Sequence, residues 1–140
     1  MKMNKKILCV ITSLLLFFTS CTDNEWTYEE RLVGYYWSVD LNEKTHREEP
    51  LISEFYFAWD QFGEESKIIH WNNVLYEKIA FDWYWHRYER NVLVLDYVNS
   101  DVCFIEFRKM TPYRLTAFFY ANPEEFKNGR GISVVFNRIN

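Results

Sequence analysis

The sequence predicts an all-β fold: an eight-stranded antiparallel meander that closes into a small barrel, with a short N-terminal helix. Three observations predict it. Beyond Gly34, apolar residues recur with period two in eight runs, as strands with one buried face require. Turn residues separate these runs. No stretch keeps a helical period long enough for the crossovers of a parallel sheet. Closing the meander removes its free edges, and two sheets packed as a sandwich are the alternative closure.

The elements follow in order. Thr27-Tyr28-Glu29-Glu30 has the form of a capping box, and Gly34 supplies a stop, so a helix is expected over 27–33. The first strand is expected over 35–41, followed by a charged loop over 42–50. The second spans 51–59, a turn occupies 60–64, and the third spans 66–71. Asn72-Asn73 then forms a tight turn, because asparagine tolerates positive φ. The fourth strand, 74–86, is the clearest: Ile79, Phe81, Trp83 and Trp85 share one face, while Lys78, Asp82 and His86 share the other. Strands over 92–98, 102–109, 113–121 and 132–139 complete the series. The connection 122–131 leaves room for a short helical piece at Glu124-Glu125-Phe126.

At 140 residues the chain accommodates one compact domain. A leader precedes it. Lys2, Lys5 and Lys6 lie ahead of an apolar run, Ile7 to Phe18, that is too short to span a bilayer and suits a signal peptide. Residues 21–140 then carry 13 basic and 20 acidic side chains, a formal charge of −7. So acidic a domain is poorly suited to gripping nucleic acid through charge.

Phe18-Thr19-Ser20-Cys21 resembles the lipobox of bacterial lipoprotein signal peptides, with phenylalanine where leucine is usual. The resemblance implies a signal peptide over 1–20, an acylated Cys21 with a short tether over 21–26, and a barrel domain over 27–140. Two or more acyl chains anchor a protein stably without a membrane-spanning helix. Asp23 and Glu25 resemble the acidic stretch that directs many Bacteroidota lipoproteins to the cell surface. An outer-membrane location in the cell envelope is therefore expected. With Cys9 removed and Cys21 acylated, Cys103 has no disulfide partner and reads as a small buried hydrophobe.

Residues 21–140 hold 26 aromatic residues and 24 Leu, Ile, Val and Met. Eight strands offer roughly thirty inward positions, so many apolar groups must cap the ends, pair on the outer wall or lie exposed. Such rings suit binding surfaces as well as cores. Trp59, Trp71, Trp83 and Trp85 are the tryptophans to examine for such a role.

The layout is similar to the lipocalin-like small lipoproteins of Bacteroidota. The features that carry the resemblance are a short helix before the first strand, Leu32-Val33-Gly34-Tyr35-Tyr36-Trp37, and Arg138 near the end of the last strand. It implies a cup-like barrel in which Trp37 and Arg138 form a structural pair, the cation stacked on the ring. The spacing here is Gly-x-x-Trp, one residue longer than the lipocalin motif, and a β-bulge would absorb the difference. No catalytic residues are implied.

Enzymatic signatures do not emerge. His46, His70 and His86 lack metal-ligand spacing, and no phosphate-binding or nucleophile-elbow motif is present. Glu48-Glu49, Glu64-Glu65 and Glu124-Glu125 fall in expected loops and read as solvated charge. No catalytic residue, metal or cofactor is assigned. The leading expectation is a membrane-anchored binding module for a small apolar or amphipathic ligand, lined by Phe55, Phe57, Phe81, Trp83 and Trp85. A protein-interaction module with a filled core and an exposed aromatic patch is the alternative. A carbohydrate-binding surface is the third reading.

Overall fold

The computed structural model describes residues 25–139, so the expected leader and Cys21 lie outside the described residues. The chain runs α1 (Glu25–Leu32), β1 (Tyr36–Val39), β2 (Leu51–Phe57), β3 (Phe62–Ile69), β4 (Val74–Trp85), β5 (Val92–Tyr97), β6 (Val102–Met110), β7 (Arg114–Tyr120), α2 (Pro123–Lys127) and β8 (Ile132–Ile139). Each strand pairs antiparallel with the next. The short β1 closes the ring on β8 through Tyr36↔Ile139, Trp37↔Arg138 and Ser38↔Asn137. This is the expected barrel, an eight-stranded meander with a short N-terminal helix, consistent with a lipocalin-like fold.

Helix α1 is already under way at Glu25, so Thr27 sits inside it rather than capping its start. Gly34 ends it at φ 84°, a conformation that favours glycine, and donates its N–H to the Phe57 carbonyl. The extra residue between Gly34 and Trp37 falls in this turn. Pairing through β1 is unbroken, so the expected bulge there is absent. Bulges occur instead in β3–β4 at Lys67/Ile68 and in β6–β7 at Phe107/Lys109.

Alternation fills the interior. Leu51, Ser53, Phe55 and Phe57 of β2 point inward, and so do Phe81 and Trp83 of β4. Strand β5 departs from period two: Val92 through Leu95 are all buried. Val92 and Val94 pack on their outer side with Phe104 and Tyr120, and helix α2 covers those two rings, laying Phe126 flat on Phe104 at 4.4 Å and edge-on to Tyr120 at 5.2 Å. A second apolar cluster of Val92, Val94, Phe104 and Tyr120 thus lies on the outer wall, where part of the surplus of rings is accommodated.

The two ends of the barrel differ. At one, α1 packs across the opening. Tyr28 lies against Trp85 and Phe107, the Trp85 indole donates to Glu29 at 2.7 Å, and Arg31 donates to the Met110 carbonyl. Among the described residues, no such helix lies across the other end, formed by connections 40–50, 70–73, 98–101 and 121–131.

Candidate functional site

The rings expected to line a ligand site form a packed core. Phe55 stacks on Phe57 at 6.0 Å, both meet Phe81, and Trp83 stands edge-on to Phe57 at 6.2 Å. All four are buried, and the Trp83 indole donates to the Phe62 carbonyl. Trp85 is half-buried and belongs to the α1 end. The structure therefore brings Phe55, Phe57, Phe81 and Trp83 together, but as filling. None of the five lines the cavity described next.

Trp37 and Arg138 occupy paired positions on β1 and β8. The expected stack between them is replaced by another arrangement: the Arg138 guanidinium lies over Tyr35 at 4.2 Å and Tyr113 at 4.4 Å. Trp37 is fully buried and its indole N–H donates to the Leu32 carbonyl at 2.9 Å. It thereby satisfies one of the carbonyls that a helix C-terminus leaves without a partner.

The candidate site lies at the end opposite α1. A cavity of about 230 Å³ opens there, its apolar wall formed by Leu41, Ile79, Phe119 and Ala121. Its polar side carries Glu43, Glu65, Lys67, Tyr97 and Asp101, and Cys103 is also in the lining. Three carboxyl groups face one lysine, so the mouth favours cations and hydrogen-bond donors.

Glu65 is the centre of this group. It lies in β3 on the inward face, only 3% exposed. Ser53 Oγ donates to its Oε1 at 2.6 Å and the Tyr97 hydroxyl to its Oε2 at 2.6 Å. A carboxylate has about four lone-pair sites, so each oxygen retains room for a further donor. Burial pushes the Glu65 carboxyl above its usual range, against the opposing pull of Ser53, Tyr97 and Lys67.

Lys67 pairs with Glu43 at 2.8 Å. Burial acts to lower its pKa, but the Glu43 hydrogen bond and the Glu65, Glu43 and Glu77 charges outweigh burial and raise it. Burial, then the Glu65 charge, holds Tyr97 well above its ordinary value. The same two causes push the Cys103 thiol up to about 12, where it is a poor nucleophile.

From sequence, Glu64-Glu65 reads as solvated charge in a loop. The structure corrects this: β3 starts at Phe62, so Glu64 points out to Lys78 at 3.1 Å while Glu65 points in. Extending the alternation back through Gly63, Glu65 and Lys67 would have shown a polar inward face. His86 accepts two backbone N–H bonds at Nδ1, from Tyr88 and Glu89, and so serves its turn. Among the described residues, no group of three or more His, Cys, Asp or Glu could hold a metal ion.

Comparison with protein-family models, curated proteins and solved structures finds no match for this chain. Among the described residues, no helix is long and apolar enough to cross a membrane.

Proposed function

We propose that this protein is a non-catalytic binding module, held in the cell envelope by acylation of Cys21. Its ligand is a small amphipathic molecule bearing an ammonium or similar hydrogen-bond-donating head. The observation that carries this reading is the buried Glu65 carboxyl at the base of a cavity with an apolar wall on one side and net negative charge on the other. The head group would meet the remaining lone pairs of Glu65, and the apolar body would rest on Leu41, Ile79 and Phe119. A volume of about 230 Å³ restricts the ligand to something smaller than the drug-sized molecules of typical pockets.

Isothermal calorimetry with butylammonium chloride tests this. The expected result is saturable binding that Glu65→Gln weakens by about tenfold or more, the worth of one charge-assisted hydrogen bond. Binding that is absent, or indifferent to Glu65→Gln, would contradict it. Affinity should rise with pH, because a cation favours the ionised carboxylate that burial otherwise disfavours.

A second reading has its own support. Strand β4 pairs with β5 only from Phe81 onward, so Val74 to Lys78 projects as an arm with one edge unpaired. Trp71, Val74, Leu75 and Tyr76 are exposed on it. An interaction partner that adds a strand to this edge would use its main-chain groups.

A further inference from the structure

Exposed aromatic side chains are distributed around the α1 end in an orderly way. The link from α1 to β1 presents Tyr35, and the β2–β3 turn presents Trp59. The β4–β5 turn presents Tyr88 and the β6–β7 turn Tyr113. Every connection at that end therefore contributes one amphipathic ring. Trp59, Tyr88 and Tyr113 are each more than half exposed. At the cavity end, by contrast, the exposed large apolar groups are Trp71, Val74, Leu75 and Tyr76 on the β3–β4 arm and the aliphatic Val98, so a single connection there presents exposed rings. Rings spread around a rim can rest together on a flat surface laid across that end of the barrel.

Charge follows the same division. Arg31, Arg87, Arg90, Lys109, Arg114 and Arg138 lie at or beside the α1 end, among the acids Glu29, Glu30, Asp60 and Glu89. The connections at the cavity end carry Asp40, Glu43, Glu48, Glu49, Asp101, Glu124 and Glu125 against Lys44, Arg47, Lys127 and Arg130, so acid is in excess there. A groove of about 400 Å³ beside the α1 end is lined by Lys109, Thr111, Arg114 and Thr116, a set suited to a phosphate head group. The chain also enters the described fold at this end, at Glu25, a few residues after Cys21.

We infer that the α1 end lies on a lipid bilayer, with Tyr35, Trp59, Tyr88 and Tyr113 in the head-group layer and the Glu65 cavity directed away from it. Tyrosine and tryptophan favour that layer, because each has an apolar body and a polar tip. Arginine and lysine near the surface are drawn to anionic lipids. The inference rests on the membrane location proposed above and adds a direction to it. Ligand would then reach the cavity from the aqueous side, unobstructed by the membrane.

Trp59 and Trp71, exposed tryptophans at opposite ends, provide the test. The full chain is reconstituted with vesicles of phosphatidylethanolamine and phosphatidylglycerol carrying brominated acyl chains, which quench nearby indoles. A Trp26→Phe background removes the tryptophan nearest Cys21 in the sequence. Quenching should fall several-fold on adding Trp59→Phe and stay unchanged on adding Trp71→Phe. The opposite pattern would overturn the inference, and so would equal quenching in both or none in vesicle-bound protein. Protein that fails to float with the vesicles would instead defeat the membrane location, and the orientation with it.

Discussion

Gly63 shows how closely this interior is filled. It occupies an inward position of β3, and a Cβ built there would come within 2.3 Å of Phe81 Cε2 and 2.7 Å of the Tyr56 carbonyl oxygen. The Phe81 ring uses the space that a side chain would need. Gly63→Ala should therefore lower stability by about 1–3 kcal/mol through overpacking, read as a lower urea midpoint. An unchanged midpoint would mean that the core yields more easily than its packing implies.

Two positions away on the same face, Glu65 binds its proton more tightly when folded than when unfolded. Its stabilising contribution is therefore complete below its ordinary value of 4.5 and is lost as pH rises through the higher folded value. Thermal melts of the wild type and Glu65→Gln across that range should diverge, the wild type falling relative to the variant as pH rises. Parallel curves would show that Glu65 is not the source. Cys103, with its thiol held near 12, should alkylate at pH 8 far more slowly in the native protein than in urea.

At the scale of elements, α2 has an effect out of proportion to its five residues. Asn122 accepts a bond from the Glu125 N–H at its start, and Pro123 follows at the first helical position. The helix so fixed brings Phe126 onto Phe104, with His86 at 5.4 Å on another side. Phe126→Ala should destabilise by about 1–2 kcal/mol, less than a fully buried ring, and should speed amide exchange in β6. Unaltered exchange in β6 would mean that α2 is not its cover.

These elements were legible in the sequence to different degrees. The span of β8 could be read directly, and those of β2, β4, β5, β6 and β7 to within one or two residues at each end, because half-buried strands display their alternation. The start of β3 was not, because Gly63 and Glu65 are the inward residues there and neither looks apolar. The same feature concealed the candidate site. A buried carboxyl reads as a solvated one until its neighbours are known, and Ser53 and Tyr97 are distant in the chain. The aromatic residues misled in the opposite direction: Phe55, Phe57, Phe81 and Trp83 were legible as inward-facing, but alternation alone does not distinguish a lining from a filling.

For the molecule as a whole, the barrel separates three tasks by position. The middle is occupied by rings that hold the sheet closed. The α1 end is sealed by a helix whose last turn Trp37 ties to the wall. The far end keeps a small, acidic cavity with polar groups that the core has no need of. This division of tasks dictates where a ligand can bind. An amide-resolved NMR titration of the full chain with butylammonium chloride tests it most directly. The predicted result is a set of saturable shifts at Glu65, Tyr97, Cys103 and Ala121, lost in Glu65→Gln. Shifts centred on Phe55, Phe57 and Trp83, or no saturable shifts at all, would contradict it.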